Sequence, residues 1–471
     1  MRLLPIQETI SDESFRQIMM LVESGTAREI FARELIAARG LAAQFHLEDC
    51  RMIHAKYRPG KNCLASYLLK INDLKTGQRR EQIVTALFCR AGESRRLFED
   101  ARERPIVPTT IGALGVIGAL NDGLFHLPEL EAVVWAFPND RKLTGLPVLT
   151  DAQRLRSEIL PEVVARNFGD DCEIVDLTKN LIHYVAERAC MVRVELDLRR
   201  RRTGARDSRV LFGKTYCLDE AETAWRGLQD LWESEARRHG RLLIPQPAAY
   251  QPGIKTIWQM GLKGRTLVEY HAWSARFSEL LTDAGRAVAT LHQTEISFVP
   301  PFERVEVISK LESSAALIAK VRPSCREPLR ELVGHLIAGF NSIEQRPVVT
   351  LHGDLHLKNF FVTNDQVALI DLDNIGRGDP LLDVGSFVAA IHYRGLLEGR
   401  AVEERELVAR QFIEAYRANV AWTVSPSALN WYVAAALISE RAYRCVTRMK
   451  AGRLEILDDL VGFVRGFIQQ V

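Results

Sequence analysis

Polar residues that could carry out chemistry are concentrated between His352 and Asp371. His352, Asp354 and Asn359 follow the spacing H-x-D-x-x-x-x-N, and Asp371 comes directly after the apolar run Val367–Ile370. Phosphoryl transfer uses such a set: one Asp accepts a hydroxyl proton, while an Asn and a further Asp hold magnesium. Carboxylate and amide oxygens suit Mg²⁺, which leaves its other positions to water and phosphate. The residues therefore indicate a magnesium-dependent transfer of a phosphoryl group.

A β-hairpin has to bring these residues together. Two short apolar runs, Phe360–Val362 and Val367–Ile370, flank the turn-forming pair Asn364-Asp365, which is typical of two antiparallel strands joined by a tight turn. The turn reverses the chain, so residues just before the first strand and just after the second lie at the same end. We therefore expect Asp354, Asn359 and Asp371 to converge there.

Two blocks of this region resemble the signature of the aminoglycoside phosphotransferase and choline kinase superfamily. They read H-G-D-L-H-L-K-N and I-D-L-D-N-I-G-R-G-D-P-L-L-D-V. The resemblance implies a protein-kinase-like α+β fold, with a small antiparallel β lobe before a large, mainly helical lobe. It implies ATP and Mg²⁺ as cofactors, Asp354 as catalytic base, and Asn359 and Asp371 as metal ligands. Gly353 stands where protein kinases have an arginine, which favours a small-molecule kinase. Asp383 is expected to cap a helix that starts near Val384.

The resemblance also implies a set of nucleotide-binding residues. Lys214, at the end of an apolar strand, would pair with the α- and β-phosphates, held by Glu222 or, as second choice, Glu220. The adenine ring would lie against the hinge, whose predicted members are Gln259, Met260 and Leu262.

The phosphate-covering loop departs from the kinase pattern. The segment Val185–Ala189 contains no glycine, whereas a glycine-rich loop lets backbone N–H groups approach phosphates closely. Arg188 is the residue that could replace those contacts with its side chain.

The chain before the signature contains an internal repeat. Ile53-His54 corresponds to Ile182-His183, and Thr76-Gly77 to Thr203-Gly204. We therefore predict an N-terminal α+β domain at residues 1–170 that resembles a degenerate second small lobe. The kinase small lobe is then predicted at 171–262 and the helical large lobe at 263–471. Two helices, Glu13–Val22 and Ala27–Phe45, are predicted before the first strand.

The composition is ordinary for a soluble protein, with 47% hydrophobic and 26% charged residues. With 471 residues it is long enough for two or three domains. A net charge of +2 gives no reason to expect a nucleic-acid partner, and no apolar stretch is long enough for a membrane span. The eight cysteines include no C-x-x-C pair and the start has no signal-peptide pattern, so we expect a cytoplasmic protein. The sequence does not indicate an oligomeric state.

The sequence thus predicts an ATP-dependent phosphotransferase that acts on a hydroxyl of an aminoglycoside, sugar or amino alcohol. A mixture of Arg and Glu in the C-terminal helices slightly favours a neutral, hydroxyl-rich acceptor such as a sugar. A pseudokinase that binds nucleotide as a scaffold without transfer is the alternative. A third possibility is a metal-dependent hydrolase built on His352, Asp354 and His356, which would leave Asn359 and Asp371 unexplained.

Overall fold

The computed structural model of the chain describes residues 24–58, 61–107, 123–217, 220–296, 302, 304–448 and 452–468. These residues form two compact units. The first contains the described residues of Met1–Ala221, Ala248–Met260 and Thr447–Lys450, and the second those of Glu222–Pro247, Gly261–Val446 and Ala451–Val471. The domain bounds at residues 170 and 262 stay a prediction.

Two five-stranded sheets form the centre of the first unit. In the first sheet the strand order is β1-β2-β3-β5-β4, and in the second it is β6-β7-β8-β10-β9. The strands are β1 (Phe45–Arg58), β2 (Asn62–Asp73), β3 (Arg79–Phe88), β4 (Leu124–Leu127), β5 (Ala132–Ala136), β6 (Cys172–Val185), β7 (Ala189–Arg200), β8 (Arg206–Tyr216), β9 (Pro247–Gln251) and β10 (Thr256–Met260).

The two sheets share details as well as strand order. The β1–β2 pairing has register shifts at Leu47/Asp49 and at Met52/His54, and the β6–β7 pairing has them at Ile174/Asp176 and at Leu181/His183. A short 3-10 turn precedes both β5 and β10, and each turn ends on a residue with positive φ, Glu131 at 47° and Lys255 at 45°. The two sheets therefore have the likeness that the internal repeat predicts, and the role of the N-terminal sheet as a second small lobe stays a prediction.

Apolar side chains of both sheets contribute to one core. In β7 the residues Val192, Val194, Leu196 and Leu198 alternate with polar ones and are buried, as the two-residue period of a strand requires. Trp258 of β10 is fully buried in the same core. A Cβ on Gly213 of β8 would lie 2.6 Å from the Trp258 ring, so only glycine allows the indole to cross the strand at this point.

Helices flank these sheets along the chain: α1 (Ser24–Phe31), α2 (Ser94–Arg102), α3 (Leu146–Leu149), α4 (Ala152–Arg154) and α5 (Leu160–Phe168). The predicted helix Glu13–Val22 lies outside the described residues. The prediction of one helix from Ala27 to Phe45 is wrong, because helical turns end at Arg39 and Gly40 follows with φ 70°. That left-handed conformation is a common helix terminator.

The second unit is mainly helical. Its helices are α6 (Glu220–Glu233, which begins in the first unit), α7 (Glu235–Arg238), α8 (Ala275–His292), α9 (Arg304–Val321), α10 (Arg326–Phe340), α11 (Leu381–Leu397), α12 (Val402–Arg417), α13 (Pro426–Ala436), α14 (Tyr443–Thr447) and α15 (Leu457–Ile468). Short strands form two small sheets, one of β11 (Arg265–Thr266), β13 (Phe360–Thr363) and β14 (Gln366–Leu369), and one of β12 (Val349–Leu351) and β15 (Gly376–Gly378). The predicted α+β class is confirmed.

Aromatic packing anchors the hairpin to the helices. The rings of Phe360 (β13) and Phe387 (α11) lie 5.0 Å apart, and those of Phe387 and Phe412 (α12) lie 4.3 Å apart. All three are fully buried. Because Phe360 directly follows Asn359, this packing sets the position of the predicted site.

Among the described residues, the helices are too short or too polar to cross a membrane.

A buried histidine gives a pH-dependent stability. His392 packs against Phe463 and Phe467, and its Nδ1 lacks a hydrogen-bond partner among the described residues. Burial, and then the charge of Arg405, lowers the pKa of His392 from 6.5 to about 3. Between these values the unfolded chain binds a proton that the folded chain does not, so stability falls as the pH falls from 6.5.

We expect His392→Leu to remove this acid sensitivity. At about 1.4 kcal/mol per pKa unit, the wild type should lose about 3 kcal/mol more than the variant between pH 6.5 and pH 4. Urea denaturation at both pH values measures the difference. Equal losses in the two proteins would show that His392 does not titrate as proposed, and His335→Leu, at an exposed position of α10, is the control.

Candidate active site

The loop that carries Asp354 is held by a buried carboxylate. The backbone N–H groups of His352 and Gly353 donate to the two oxygens of Asp383, at 2.6 and 3.0 Å. Gly353 has φ 79°, and a Cβ there would lie 2.0 Å from the carbonyl oxygen of Asn374. No other residue type fits this position without moving the backbone, which explains the glycine of the H-G-D block.

Asp383 is itself charged and fixed. It is 2% exposed, and Nε2 of His292 lies 3.3 Å from its Oδ2. Nδ1 of His292 lies 2.8 Å from the hydroxyl of Tyr416, which suits a tautomer that donates to Asp383. Burial acts to raise the pKa of Asp383, but the bonds and charges of His292 and His352 outweigh it, and the pKa is lowered.

The expectation that Asp383 caps a helix is wrong. Helix α11 begins at Leu381, so Asp383 lies inside its first turn. Its carboxylate instead accepts hydrogen bonds from a loop about 30 residues earlier in the chain. The G-D-P-x-x-D spacing was the available signal, but spacing alone does not show which distant N–H groups a carboxylate accepts from.

Hydrogen bonds link Asn359 and Asp371 to this loop. The side-chain Nδ2 of Asn359 donates to the carbonyl oxygen of Asp354 at 2.9 Å. The backbone N–H of Ile370 donates to the carbonyl of Asn359 at 3.0 Å, and the ring of His352 donates to the carbonyl of Ile370, also at 3.0 Å. Asp371 follows Ile370 directly, so the structure brings Asp354, Asn359 and Asp371 to one end of the hairpin, as their order in the sequence predicts.

The turn of the hairpin also has the predicted form. Asn364 and Asp365 lie between β13 and β14 and have φ values of 47° and 60°, as a two-residue turn of this kind requires. Asp371 has φ 61° as well. This uncommon conformation at the end of β14 lies at the predicted metal-binding position.

The oxygen donors here fit magnesium. Since Nδ2 of Asn359 is used by the Asp354 carbonyl, its Oδ1 is the atom left to act as a ligand, beside the carboxylate of Asp371. The alternative hydrolase centre fits less well. His352 is fully buried with its ring bonded to the Ile370 carbonyl, and the described residues contain no cluster of three or more His, Cys, Asp or Glu that could hold a metal ion.

Asp354 lies between two basic groups. Its Oδ1 is 3.3 Å from Nη2 of Arg444, and its Oδ2 is 3.8 Å from Nε2 of His356. Burial alone would raise the pKa of Asp354, but the charges of His356 and Arg444 outweigh it, so the pKa lies below its ordinary value. Burial lowers the pKa of His356 itself, so near neutral pH Arg444 is the charged partner of Asp354. The carboxylate is therefore ionised near neutral pH and can accept a hydrogen bond from a hydroxyl group.

Three of the predicted nucleotide-binding residues lie on adjacent strands of the first unit. Lys214 belongs to β8, where it pairs with Met191 and Ile257, and its Nζ is 5.6 Å from the centre of the Tyr216 ring. Gln259 and Met260 lie on β10, the neighbour of β8.

Two more of the predicted nucleotide-binding residues, Glu222 and Leu262, lie in the second unit. Leu262 follows the last strand of the first unit by two residues. Glu222 is exposed on α6 and forms an ion pair with Arg226 one turn later. The nucleotide-binding roles of all these residues stay predictions.

The glycine-free loop Val185–Ala189 is held by the N-terminal part of the chain. Arg141 donates two hydrogen bonds to Glu187, at 2.6 and 2.8 Å, and Oδ2 of Asp140 accepts from the N–H of Glu187 and the hydroxyl of Tyr184. Glu187 is buried, with φ 58°, whereas Arg188 is exposed. The sequence did not point to Asp140 and Arg141, because an internal repeat does not show which residues of one sheet meet the other.

A known protein family matches the part of the chain that carries the motif. Residues 215–422 match the family described as the phosphotransferase enzyme family. Comparison with curated proteins gives no match. Similar solved structures include a thermostable mutant of aminoglycoside phosphotransferase APH(4)-Ia in its apo form, with TM-score 0.44, 15% identity, and coverage of 66% of this chain and 98% of that one.

Two further structures have similar scores. Aminoglycoside phosphotransferase APH(3'')-Id from Streptomyces rimosus has TM-score 0.37 and 19% identity, with 54% of this chain and 90% of that chain covered. A choline/ethanolamine kinase family protein from Mesorhizobium loti has TM-score 0.38 and 16% identity, with 59% and 83% covered. The match to the phosphotransferase enzyme family covers residues 215–422, less than half of the chain, and agrees with the predicted superfamily.

Proposed function

We propose that the protein transfers the γ-phosphate of ATP to a hydroxyl group of a small molecule. The observation that carries this proposal is the linkage of Asp354, Asn359 and Asp371 through the Asn359 amide, the Ile370 backbone and the His352 ring. It assembles one ionised carboxylate that can accept a proton and two oxygen donors suited to magnesium. The family match supports the same reaction type.

Each group has a role in such a transfer. Asp354 accepts the hydrogen bond of the acceptor hydroxyl, orients it and takes its proton. Asn359 and Asp371 would hold magnesium, which when bound supplies positive charge to the phosphates. Lys214 would add a compact positive charge to the nucleotide. The protein's contribution is mainly positioning and electrostatic stabilisation, since phosphoryl transfer needs little covalent help.

A nucleotide-binding scaffold without transfer is the second candidate. The observation in its favour is the hairpin tip, where the Glu187 carboxylate is held by Arg141 and no glycine exposes backbone N–H groups. Such a tip would bind phosphates less closely than a glycine-rich loop does.

Calorimetric titration with ATP, with and without Mg²⁺, separates the candidates. We expect Mg²⁺ to tighten ATP binding, and Asp371→Asn to reduce that gain by about 10-fold or more, because a charged oxygen ligand is lost. Asp365→Asn, on the exposed hairpin tip, should bind as the wild type does. ADP release with a panel of sugars, amino alcohols and aminoglycosides then tests transfer. Nucleotide binding without ADP release for any of these acceptors, or for carboxylate- and phosphate-bearing alcohols, would favour the scaffold.

A further inference from the structure

The side chains beside Asp354 are those that an acceptor molecule would contact. Asp354, His356 and Arg444 are each about one quarter exposed, at 26%, 25% and 25% of their side chains. The three therefore share the open side of the catalytic loop. A hydroxyl within hydrogen-bond reach of Asp354 must lie beside Arg444, because the guanidinium is only 3.3 Å from the Asp354 carboxylate.

A second arginine, Arg441, interacts electrostatically with Arg444. Arg441 is buried, and its Nη2 donates to the carbonyl oxygen of Ser386 at 2.9 Å. Its Nε is also buried and has no hydrogen-bond partner among the described residues. Arg441 interacts electrostatically with both Asp354 and Arg444, so its charge adds to the positive field around the loop.

The carboxylate of Glu440, next to Arg441 in the chain, is paired with cations. Glu440 accepts a hydrogen bond from the hydroxyl of Ser386 at 2.7 Å, and its carboxylate lies 3.4 Å from Nζ of Lys310 and 3.5 Å from Nη2 of Arg441. Its negative charge is thus shared between two cations. Three cations, Lys310, Arg441 and Arg444, are thus linked to two acids, Glu440 and Asp354. This surplus of positive charge disfavours an acceptor that brings further ammonium groups.

We propose, on the basis of the phosphotransferase function above, that the acceptor carries a carboxylate or phosphate close to its reactive hydroxyl and that Arg444 binds this anionic group. The contact between Arg444 and Asp354 is one long hydrogen bond of 3.3 Å, so an anionic substrate can replace it with a closer one. Arg444 then holds the acceptor, and Asp354 is released to accept the hydroxyl proton.

Matched acceptors test this proposal. The three-carbon set is glycerate, glycerol 3-phosphate, glycerol and 3-amino-1,2-propanediol, and the six-carbon set is glucuronate, glucose 6-phosphate, glucose and glucosamine. Binding is measured by calorimetry with a non-hydrolysable ATP analogue and Mg²⁺, and transfer by ADP release. We expect at least one acid to bind about 10- to 100-fold more tightly than its neutral and amino counterparts, the range expected for a hydrogen bond between charged groups. The carboxylate and phosphate members show which anion is preferred.

Variants of Arg444 then test whether its side chain binds the anionic group. Arg444→Gln should remove the preference for acids, so that each acid binds no more tightly than its neutral counterpart, while Arg444→Lys restores part of the preference. Arg465→Gln, which removes an exposed arginine of α15 paired with Glu331, is the matched control and should change nothing. Thermal unfolding of each variant confirms that it is folded.

The outcomes distinguish this inference from the proposed function. Acids that bind in an Arg444-dependent way without ADP release would support the inference and contradict the transfer reaction. Transfer to neutral or amino acceptors, with acids bound no more tightly, would overturn the inference and leave the reaction intact. An equal loss for all acceptors in Arg444→Gln would also overturn it, because Arg444 would then act on the transferred phosphate. If no acceptor of the three-carbon or six-carbon set binds, the inference of an anionic acceptor is also overturned.

Discussion

Asp354→Asn should reduce the turnover of the proposed reaction by about 10²- to 10⁴-fold, the range measured for the loss of a general base. The substitution keeps the shape of the side chain but removes the negative charge that accepts the hydroxyl proton. The lowered pKa of Asp354 means that the wild-type carboxylate is ionised at neutral pH, so the full contribution is lost. Steady-state ADP release with a saturating acceptor measures the effect.

Nucleotide binding should be unaffected by this change. The bond from Asn359 goes to the backbone carbonyl of Asp354 and not to its side chain, so the predicted metal ligands keep their positions. We expect the affinity for ATP and Mg²⁺ to stay within about threefold of the wild type, a difference of less than 1 kcal/mol. Asp365→Asn, six residues after Asn359 and exposed, should retain full turnover. An Asp354→Asn protein that turns over at a rate similar to the wild type would exclude Asp354 as the base.

Asp383→Asn should damage both stability and turnover. The amide can replace only one of the two carboxylate oxygens that accept the N–H groups of His352 and Gly353. One buried N–H then faces an amide donor, and His292 loses a charged partner. Breaking such a buried, charged network costs about 3 kcal/mol of the free energy of unfolding.

The loss of turnover follows from the same geometry. Because Gly353 directly precedes Asp354, a displaced Gly353 N–H moves the carboxylate away from its position, and small displacements at a reacting centre reduce rates strongly. We expect at least about a 10-fold fall in turnover in the protein that remains folded. Urea denaturation followed by circular dichroism gives the stability, and ADP release gives the rate.

The control for this variant is Asp459→Asn, an exposed carboxylate on α15. It should match the wild type in both measurements. If Asp383→Asn were as stable as the wild type, the hydrogen bonds to His352 and Gly353 would not hold the loop as we infer. If it were less stable but equally active once folded, Asp383 would support the fold and have no part in positioning Asp354.

The sequence alone predicted the local parts of this protein. The alternation of apolar residues, the Asn364-Asp365 turn and the short spacing from Asp354 to Asn359 depend on residues a few positions apart, and backbone geometry links such residues directly. The hairpin, the convergence of the three polar residues and the resemblance of the two sheets could all be predicted for this reason. The family signature supplied the reaction class on the same local basis.

Only the tertiary structure showed the contacts between distant segments. Asp383 accepts from residues about 30 positions earlier, Arg444 reaches Asp354 from 90 positions later, and Arg141 binds Glu187 across 46 positions. Each contact depends on how whole helices and sheets pack, and no pattern of neighbouring residues determines that packing. The composition of the C-terminal helices favoured a neutral acceptor, whereas the positions of Arg441 and Arg444 favour an anionic one, because the field at Asp354 depends on where each charge lies and which acids already neutralise it.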